Sequence, residues 1–260
     1  MHDMRSTGRT GTSVLERAFS LLEVLGSDGA SVGLAELARR AGLPKATAYR
    51  LANQLIELHV LERAGDGYQL GLKLFELGNS VARERELREA ALPFMEDLYE
   101  ATHETIHLGV LDEVEVLYVE KIAGRRGCTV STTLGTRKPL YCTGLGKAIL
   151  AYSTPHLLHA VIQNGLPRRT RYTITDPHRL ELELTRAAGS GVTYDREEYE
   201  IGITCVASPL LNAAGRAWAA ISVTGPTTRF RPERTAAAVR TAALGLTRVL
   251  THQIGWAVDA

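Results

Sequence analysis

Residues 42–51 read Gly42-Leu43-Pro44-Lys45-Ala46-Thr47-Ala48-Tyr49-Arg50-Leu51. Gly42 stops one helix and Gly42-Leu43 forms a tight turn. Pro44 suits the first position of the next helix, where its missing N–H is not needed. That helix then carries Leu51, Leu55 and Leu58 on one side. Upstream, Leu34, Leu37, Ala38 and Ala41 fall on one face of a short helix. Further upstream, Ser13-Val14-Leu15-Glu16 is a capping box, in which the Ser hydroxyl and the Glu carboxylate each satisfy a free N–H at a helix start. Leu15, Ala18, Leu22 and Leu25 follow at helical spacing, and Gly26 with Ser27-Asp28-Gly29 closes that helix. Downstream, Val60–Arg63 and Tyr68–Gly71 are strand-like and flank the hairpin signal Gly65-Asp66-Gly67. Helix, helix, tight turn, helix, hairpin is the order of a winged helix-turn-helix, expected over residues 12–80, with its third helix entering a DNA major groove.

Charge supports this locally, not globally. Residues 1–80 hold nine Lys/Arg and nine Asp/Glu, while residues 37–56 hold Arg39, Arg40, Lys45 and Arg50 and no acid, a local +4. Arg40 and Lys45 sit near helix ends and suit phosphate contacts. Ala46, Tyr49, Arg50 and Asn53 form the outward face, with Arg50 placed to read a guanine edge and Tyr49 a backbone or thymine methyl. The bland alternative is a solvated basic face on an ordinary three-helix domain, and a winged helix can also bind protein instead of DNA.

Behind this segment the pattern changes. Residues 81–102 read as a connecting helix with Leu87, Ala91, Phe94 and Leu98 as its apolar stripe. Residues 103–260 mix strand-like runs (106–110, 114–119, 203–211, 217–224) with helical ones (144–152, 155–162, about 177–188, 232–252), without regular βαβ alternation. The fold class expected is therefore α+β. Residues 1–11 read as a flexible polar tail without the apolar core of a signal peptide. No run of about 18 apolar residues is present, so no membrane partner is expected. Cys128, Cys142 and Cys205 are odd in number and widely spaced, which fits a cytoplasmic setting and neither a disulfide framework nor a CxxC metal site. Trp218 and Trp256 read as packing residues.

The segment 42–51, with the wing end Tyr68-Gln69-Leu70-Gly71, resembles the recognition region of the isocitrate lyase regulator (IclR) family. Pro139-Leu140-Tyr141-Cys142-Thr143-Gly144-Leu145-Gly146-Lys147-Ala148 is similar to that family's sensor segment. Gly191, Asp195, Glu198, Cys205, Val206, Ala207 and Asn212 fall at the spacing of its signature, and Ile221-Ser222-Val223-Thr224-Gly225-Pro226 is similar to its following strand. The likeness covers about residues 12–250. Ala46 stands where Ser or Thr is usual, Tyr141 where His is common, and Leu211 where Phe, Tyr or His is expected. The resemblance implies a transcription regulator, more often a repressor, without cofactor, metal or enzymatic activity. It also implies a GAF- or profilin-like effector domain and a homodimer or homotetramer on a pseudo-palindromic operator. The DNA-contacting set expected is Arg40, Lys45, Ala46, Thr47, Tyr49, Arg50 and Asn53. The effector set is Gly144, Leu145, Asp195, Ile203, Cys205, Ser222 and Thr224.

Chemistry supports part of that pocket. Thr143 caps a helix beginning at Gly144, whose free N–H groups form an anion site, and Gly144 lets a ligand approach the backbone. Ser222 and Thr224 alternate along one strand and share a face. Cys205 forms a small apolar wall. An acid ligand beside ionised Asp195 is repelled unless a proton or donor lies between them. The effector expected is a small organic acid, aromatic ones included, carrying a hydroxyl, amine or N–H that Asp195 accepts from. One enzymatic signal competes: His103-Glu104-Thr105-Ile106-His107 is a literal HExxH, the helical signature of a zinc hydrolase. Against it, Leu108-Gly109-Val110-Leu111 continues as strand and no third ligand follows nearby.

Overall fold

The computed structural model describes residues 13–28, 31–124 and 132–253. The polar tail, Gly29, Cys128 and Trp256 lie outside the described residues. The chain divides into two compact units, Met1–Ala82 and Arg83–Ala260.

The first unit holds α1 (Val14–Asp28), β1 (Val32–Gly33), α2 (Leu34–Arg40), α3 (Lys45–Glu57), β2 (Leu61–Ala64), β3 (Gly67–Leu70) and α4 (Lys73–Asn79). The capping box forms as read: Glu16 N–H donates to Ser13 Oγ at 3.1 Å, and Ser13 N–H donates to Glu16 Oε2 at 2.6 Å. Gly42 adopts φ +64°, the left-handed backbone that ends α2 and sets the angle at which α3 departs. Pro44 is the N-cap of α3 rather than its first residue, with ψ 138°. Leu21, Leu25, Leu37, Leu51, Leu55, Leu61 and Tyr68 close one apolar core. Two expected core positions do not join it. Leu15 is 72% exposed and Leu58 is 63% exposed. Leu15 stands in the first turn of α1, to one side of the face that buries Leu21 and Leu25, and Leu58 is the C-cap of α3, where the chain has already left the helical face. The hairpin gains a third strand: β1 pairs antiparallel with β3 through Val32↔Tyr68 and Gly33↔Gly67.

The second unit begins with α5 (Ala82–Thr102), which its Pro93 does not break. There follow β4 (Thr105–Asp112), β5 (Glu115–Ile122), β6 (Arg137–Pro139), α6 (Gly144–Leu150), α7 (Pro155–Gln163), α8 (Pro177–Ser190), β7 (Thr193–Arg196), β8 (Ile203–Leu211), β9 (Ala217–Pro226) and α9 (Pro232–Gln253). Asp176 caps α8 by accepting from Arg179 N–H at 2.8 Å, and Gly191 ends it in the left-handed conformation. Leu180 and Leu184 face inward, whereas Leu182 is exposed, because residues two apart on a helix diverge.

The six strands form one antiparallel sheet in the order β6-β5-β4-β9-β8-β7. Strand periodicity of two divides its residues between two faces. Ile106, Leu108, Val206, Leu210, Ile221 and Val223 share one cluster with Leu87, Ala91, Met95 and Leu98 of α5 and Val239, Ala243 and Leu246 of α9. The α5 stripe is thus spent on its own unit's core, with Met95 fully buried and Phe94 only half-buried. Val116, Ala207 and Ala220 lie in the second cluster, with Leu145, Ala148 and Ile149 of α6, Val161 of α7 and Leu180 of α8. The pocket residues sit at the end of this second face. Among the described residues no helix is long and apolar enough to cross a membrane.

Candidate functional site

Two places in the molecule carry unspent chemistry. The first is the outer face of α3. Ala48, Leu51, Ala52 and Leu55 are buried, which turns Lys45, Ala46, Tyr49 and Arg50 outward and exposed. Thr47 and Asn53 are half-buried. Asn53 Oδ1 accepts from Arg63 Nη2 at 3.3 Å, so β2 of the wing holds it in place. Arg40 leans back on α1, donating to Ser27 Oγ at 3.2 Å and toward Val24 O at 3.5 Å. The acid-free window stops one residue short of Glu36, which pairs with Arg39 at 2.5 Å. The exposed positive charge is therefore concentrated at Lys45 and Arg50, with Tyr49 between them.

The second is a cleft where β4, β9, β8 and β7 present the same face beside α6. Antiparallel register builds it: Asp195 lies opposite Cys205, Cys205 opposite Thr224, and His107 opposite Ser222. Its walls include Gly144, Asp195, Ile203, Cys205 and Thr224, five of the seven residues read from the sequence. Leu145 points instead into the apolar cluster under α6 and is fully buried there. Ser222 stands one pairing step further along the sheet. His107, Tyr118, Thr132, Lys138, Thr143, Tyr199 and Glu200 complete the lining. The cavity volume is about 30 Å³, enough for one or two waters. A cavity of about 150 Å³ is what holds a benzene ring.

The anion site expected at the start of α6 is weaker than its sequence suggests. The helix has seven residues, too few for a large macrodipole, and Thr143 Oγ1 already accepts from Gly146 N–H at 3.2 Å. Gly144 also has a packing reason: a Cβ there would meet Cys205 Sγ at 2.7 Å, so the glycine lets α6 seat against β8.

Charge in and under the cleft is tightly organised. Asp195 Oδ1 accepts from Glu198 N–H at 2.7 Å. Burial pushes the Asp195 carboxyl up to about 7, helped by the negative Glu198 and opposed by Lys147 and by the Glu198 and Tyr199 N–H groups. Lys147 is fully buried and pairs with Glu198 at 2.5 Å and Glu183 at 3.6 Å. Thr170 and Thr173 hydroxyls donate to the Glu197 and Glu198 carbonyls, each at 2.6 Å, which fixes the loop carrying Tyr199 into the cleft. The Cys205 thiol is pushed up to about 12, chiefly by burial, so it stays a neutral wall.

The HExxH segment does not form a metal site. α5 ends at Thr102, His103 takes φ +54°, and His107 lies inside β4, so the two imidazoles never share a helical face. Glu104 is bound to Arg229. Among the described residues no group of three or more His, Cys, Asp or Glu can hold a metal ion.

The chain matches the profile of the IclR helix-turn-helix domain over residues 14–65 and that of the bacterial transcriptional regulator IclR C-terminal domain over residues 79–248. It is 34% identical over 226 residues to the HTH-type transcriptional regulator KdgR of Escherichia coli K12, covering 86% of this chain and 85% of that one. It is 32% identical over 237 residues to the HTH-type transcriptional repressor AllR of Salmonella typhi, covering 88% and 85%. Among solved structures, an IclR homolog from Microbacterium hydrocarbonoxydans complexed with 4-hydroxybenzoate superposes with TM-score 0.85 at 30% identity, over 92% of this chain and 99% of that one. The Thermotoga maritima IclR gives TM-score 0.78 at 30% identity, over 92% and 98%. The exposed recognition helix, the winged three-stranded sheet and the α+β second unit thus meet in one lineage: the chain belongs to the IclR family of DNA-binding transcriptional regulators, which are not enzymes.

Proposed function

We propose that this regulator is a cytoplasmic repressor released or recruited by a small organic acid bound in the cleft of its second unit. The boundaries assigned are a winged helix-turn-helix over 12–80, a linker helix over 81–102 and an effector domain over 103–260. Lys45, Thr47, Tyr49 and Arg50 meet the operator, with Asn53 braced by Arg63 and Arg40 supporting the fold of the motif more than the phosphate backbone. The single observation that carries the sensor reading is the row Asp195–Cys205–Thr224, which strand register brings together with His107 and Lys138 in one cleft at the end of the sheet face that α6 covers.

Cavity size favours a compact acid. At about 30 Å³ the closed cleft takes no aromatic ring without opening. A neighbour in structure carries 4-hydroxybenzoate, which makes that acid the first aromatic probe for this chain. Asp195, able to hold or accept a proton near neutral pH, suits a ligand that pairs a carboxylate with a hydroxyl or N–H.

A single winged module buries too little DNA for tight binding, so the operator is a pseudo-palindrome bound by a homodimer or a pair of dimers. The apolar side chains left exposed on the first unit mark its assembly surface: Val14, Leu15 and Phe19 on α1, and Leu72, Phe75 and Leu77 around α4. Phe75→Asp halves the mass measured by light scattering if this is correct; an unchanged mass rejects that surface. Ligand action is linkage: the acid favours one arrangement of the paired DNA-binding units, and DNA affects acid affinity by the same factor. The test is operator binding with and without each hit from a thermal-shift screen of small acids. If saturating acid leaves operator affinity unchanged for every hit, the sensor reading fails.

A further inference from the structure

We propose that Lys138 and His107 form the acid-recognising end of the cleft, gripping the effector's carboxylate through an ammonium and a neutral imidazole N–H; this rests on the sensor reading above. Neither residue belongs to the set read from the sequence. His107 is the second histidine of the HExxH segment, whose metal role the strand geometry removes.

Lys138 is a buried cation with an incomplete set of partners. Its Nζ donates to Thr132 Oγ1 at 3.1 Å and lies 4.4 Å from the Tyr199 ring centroid and 5.4 Å from that of Tyr118. Two aromatic faces stabilise an ammonium without neutralising it. An ammonium has three N–H donors, and the rings accept none as strongly as an oxygen does. Burial pushes its pKa down, and the nearby Glu200 and Asp195 carboxylates act in the opposite direction. Burying an ammonium carries a desolvation penalty, and an incoming carboxylate offsets it.

His107 supplies the second point. Its Nδ1 is 3.3 Å from Thr224 Oγ1, its ring stands edge-on to Tyr118 at 5.2 Å between centroids, and its buried Nε2 has no hydrogen-bond partner among the described residues. Burial, reinforced by Lys121 and Lys138, holds it neutral with a pKa of about 3. In the proposed tautomer the Thr224 hydroxyl donates to Nδ1 and the ring proton sits on Nε2. Lys138 and His107 line the same cleft as Asp195. A ligand gripped by its carboxylate at Lys138 and His107 then offers its hydroxyl or N–H to Asp195, so the like charges are kept apart.

The test compares acids with their amides on the full-length chain by calorimetry: acetate and acetamide, glycolate and glycolamide, 4-hydroxybenzoate and 4-hydroxybenzamide. For any acid that binds, the amide is expected to bind at least about tenfold more weakly, the worth of a charge-assisted hydrogen bond. Lys138→Met shrinks that preference below threefold, while Lys138→Arg keeps most of it. His107→Phe weakens the acid about tenfold and His107→Gln, which restores an N–H donor, recovers part of the loss. Unchanged acid-free operator affinity shows that a variant is folded; if Lys138→Met fails this control, the Lys138→Arg and His107 variants decide. Equal binding of acid and amide to the parent protein, or full preference retained in Lys138→Met, overturns this inference and leaves the sensor reading standing. If no acid of any pair binds the parent protein, the acid-sensor reading falls and this inference with it.

Discussion

Replacing Asp195 with Asn tests the electrostatics of the cleft in a way that needs no ligand. The exchange keeps the shape and keeps an oxygen to accept from the Glu198 N–H, but removes the titration. Burial raises the Asp195 pKa from the ordinary 3.8 to about 7, with Glu198 adding to the rise and Lys147 and the Glu198 and Tyr199 N–H groups opposing it. A raised acid pKa means that the native state favours the protonated form. The stability it gives is complete below about 3.8 and is lost as pH climbs through about 7. At about 1.4 kcal/mol per pH unit the full difference is about 4 kcal/mol, an upper figure because the buried site relaxes as it ionises. Urea unfolding followed by tryptophan fluorescence reads the second unit, since Trp218 lies in β9 and residues 1–82 contain no tryptophan. The expected result is that Asp195→Asn gains on the parent protein by about 2–4 kcal/mol between pH 4.5 and pH 8, with most of the change between 5 and 7. A difference that stays constant within about 0.5 kcal/mol over that range would mean that Asp195 is ionised throughout, and would refute the reasoning.

Lys147→Met leaves Glu198 buried without its cation and is expected to destabilise the second unit by about 3–5 kcal/mol, read by the same urea experiment; a loss below about 1 kcal/mol would mean that the pair contributes little. Ser13→Ala removes one half of the capping box, about 1 kcal/mol, so amides in the first turn of α1 should exchange about fivefold faster while those of α3 stay unchanged. Lys45→Ala should lower the slope of log affinity against log salt by about one without altering base preference, whereas Arg50→Ala should relax preference at one base pair by about 1–3 kcal/mol; the reverse pattern would exchange the roles given to these two residues.

The first unit was legible where its contacts are local. The capping box joins residues three apart, the turn needs a glycine at residue 42, and the hairpin announces itself in Gly65-Asp66-Gly67. What the sequence hid is what long-range pairing creates. Val32–Gly33 is too short to signal a strand and exists because Tyr68 and Gly67 pair with it. α4 buries none of its residues, so no inward stripe marks it. In the second unit the long strands and helices stand out by period, yet β6 and β7 are edge strands of three and four residues. The cleft was half visible. Asp195, Cys205 and Thr224 came from family likeness, while His107 and Lys138 lie 31 positions apart in sequence and reach one cleft only through strand pairing. The HExxH was a misleading signal because its spacing carries chemistry only on a helix, and α5 ends before it.

The most direct test of the whole account is a fluorescence-anisotropy titration. A labelled duplex selected by the full-length protein from a random pool is titrated with and without a saturating acid taken from the thermal-shift screen. The account predicts binding at least about a thousandfold tighter than to a scrambled duplex. It also predicts a change of at least about fivefold in that affinity on adding the acid, abolished in Asp195→Ala. Tight, selective DNA binding that no cleft-binding acid alters would contradict it.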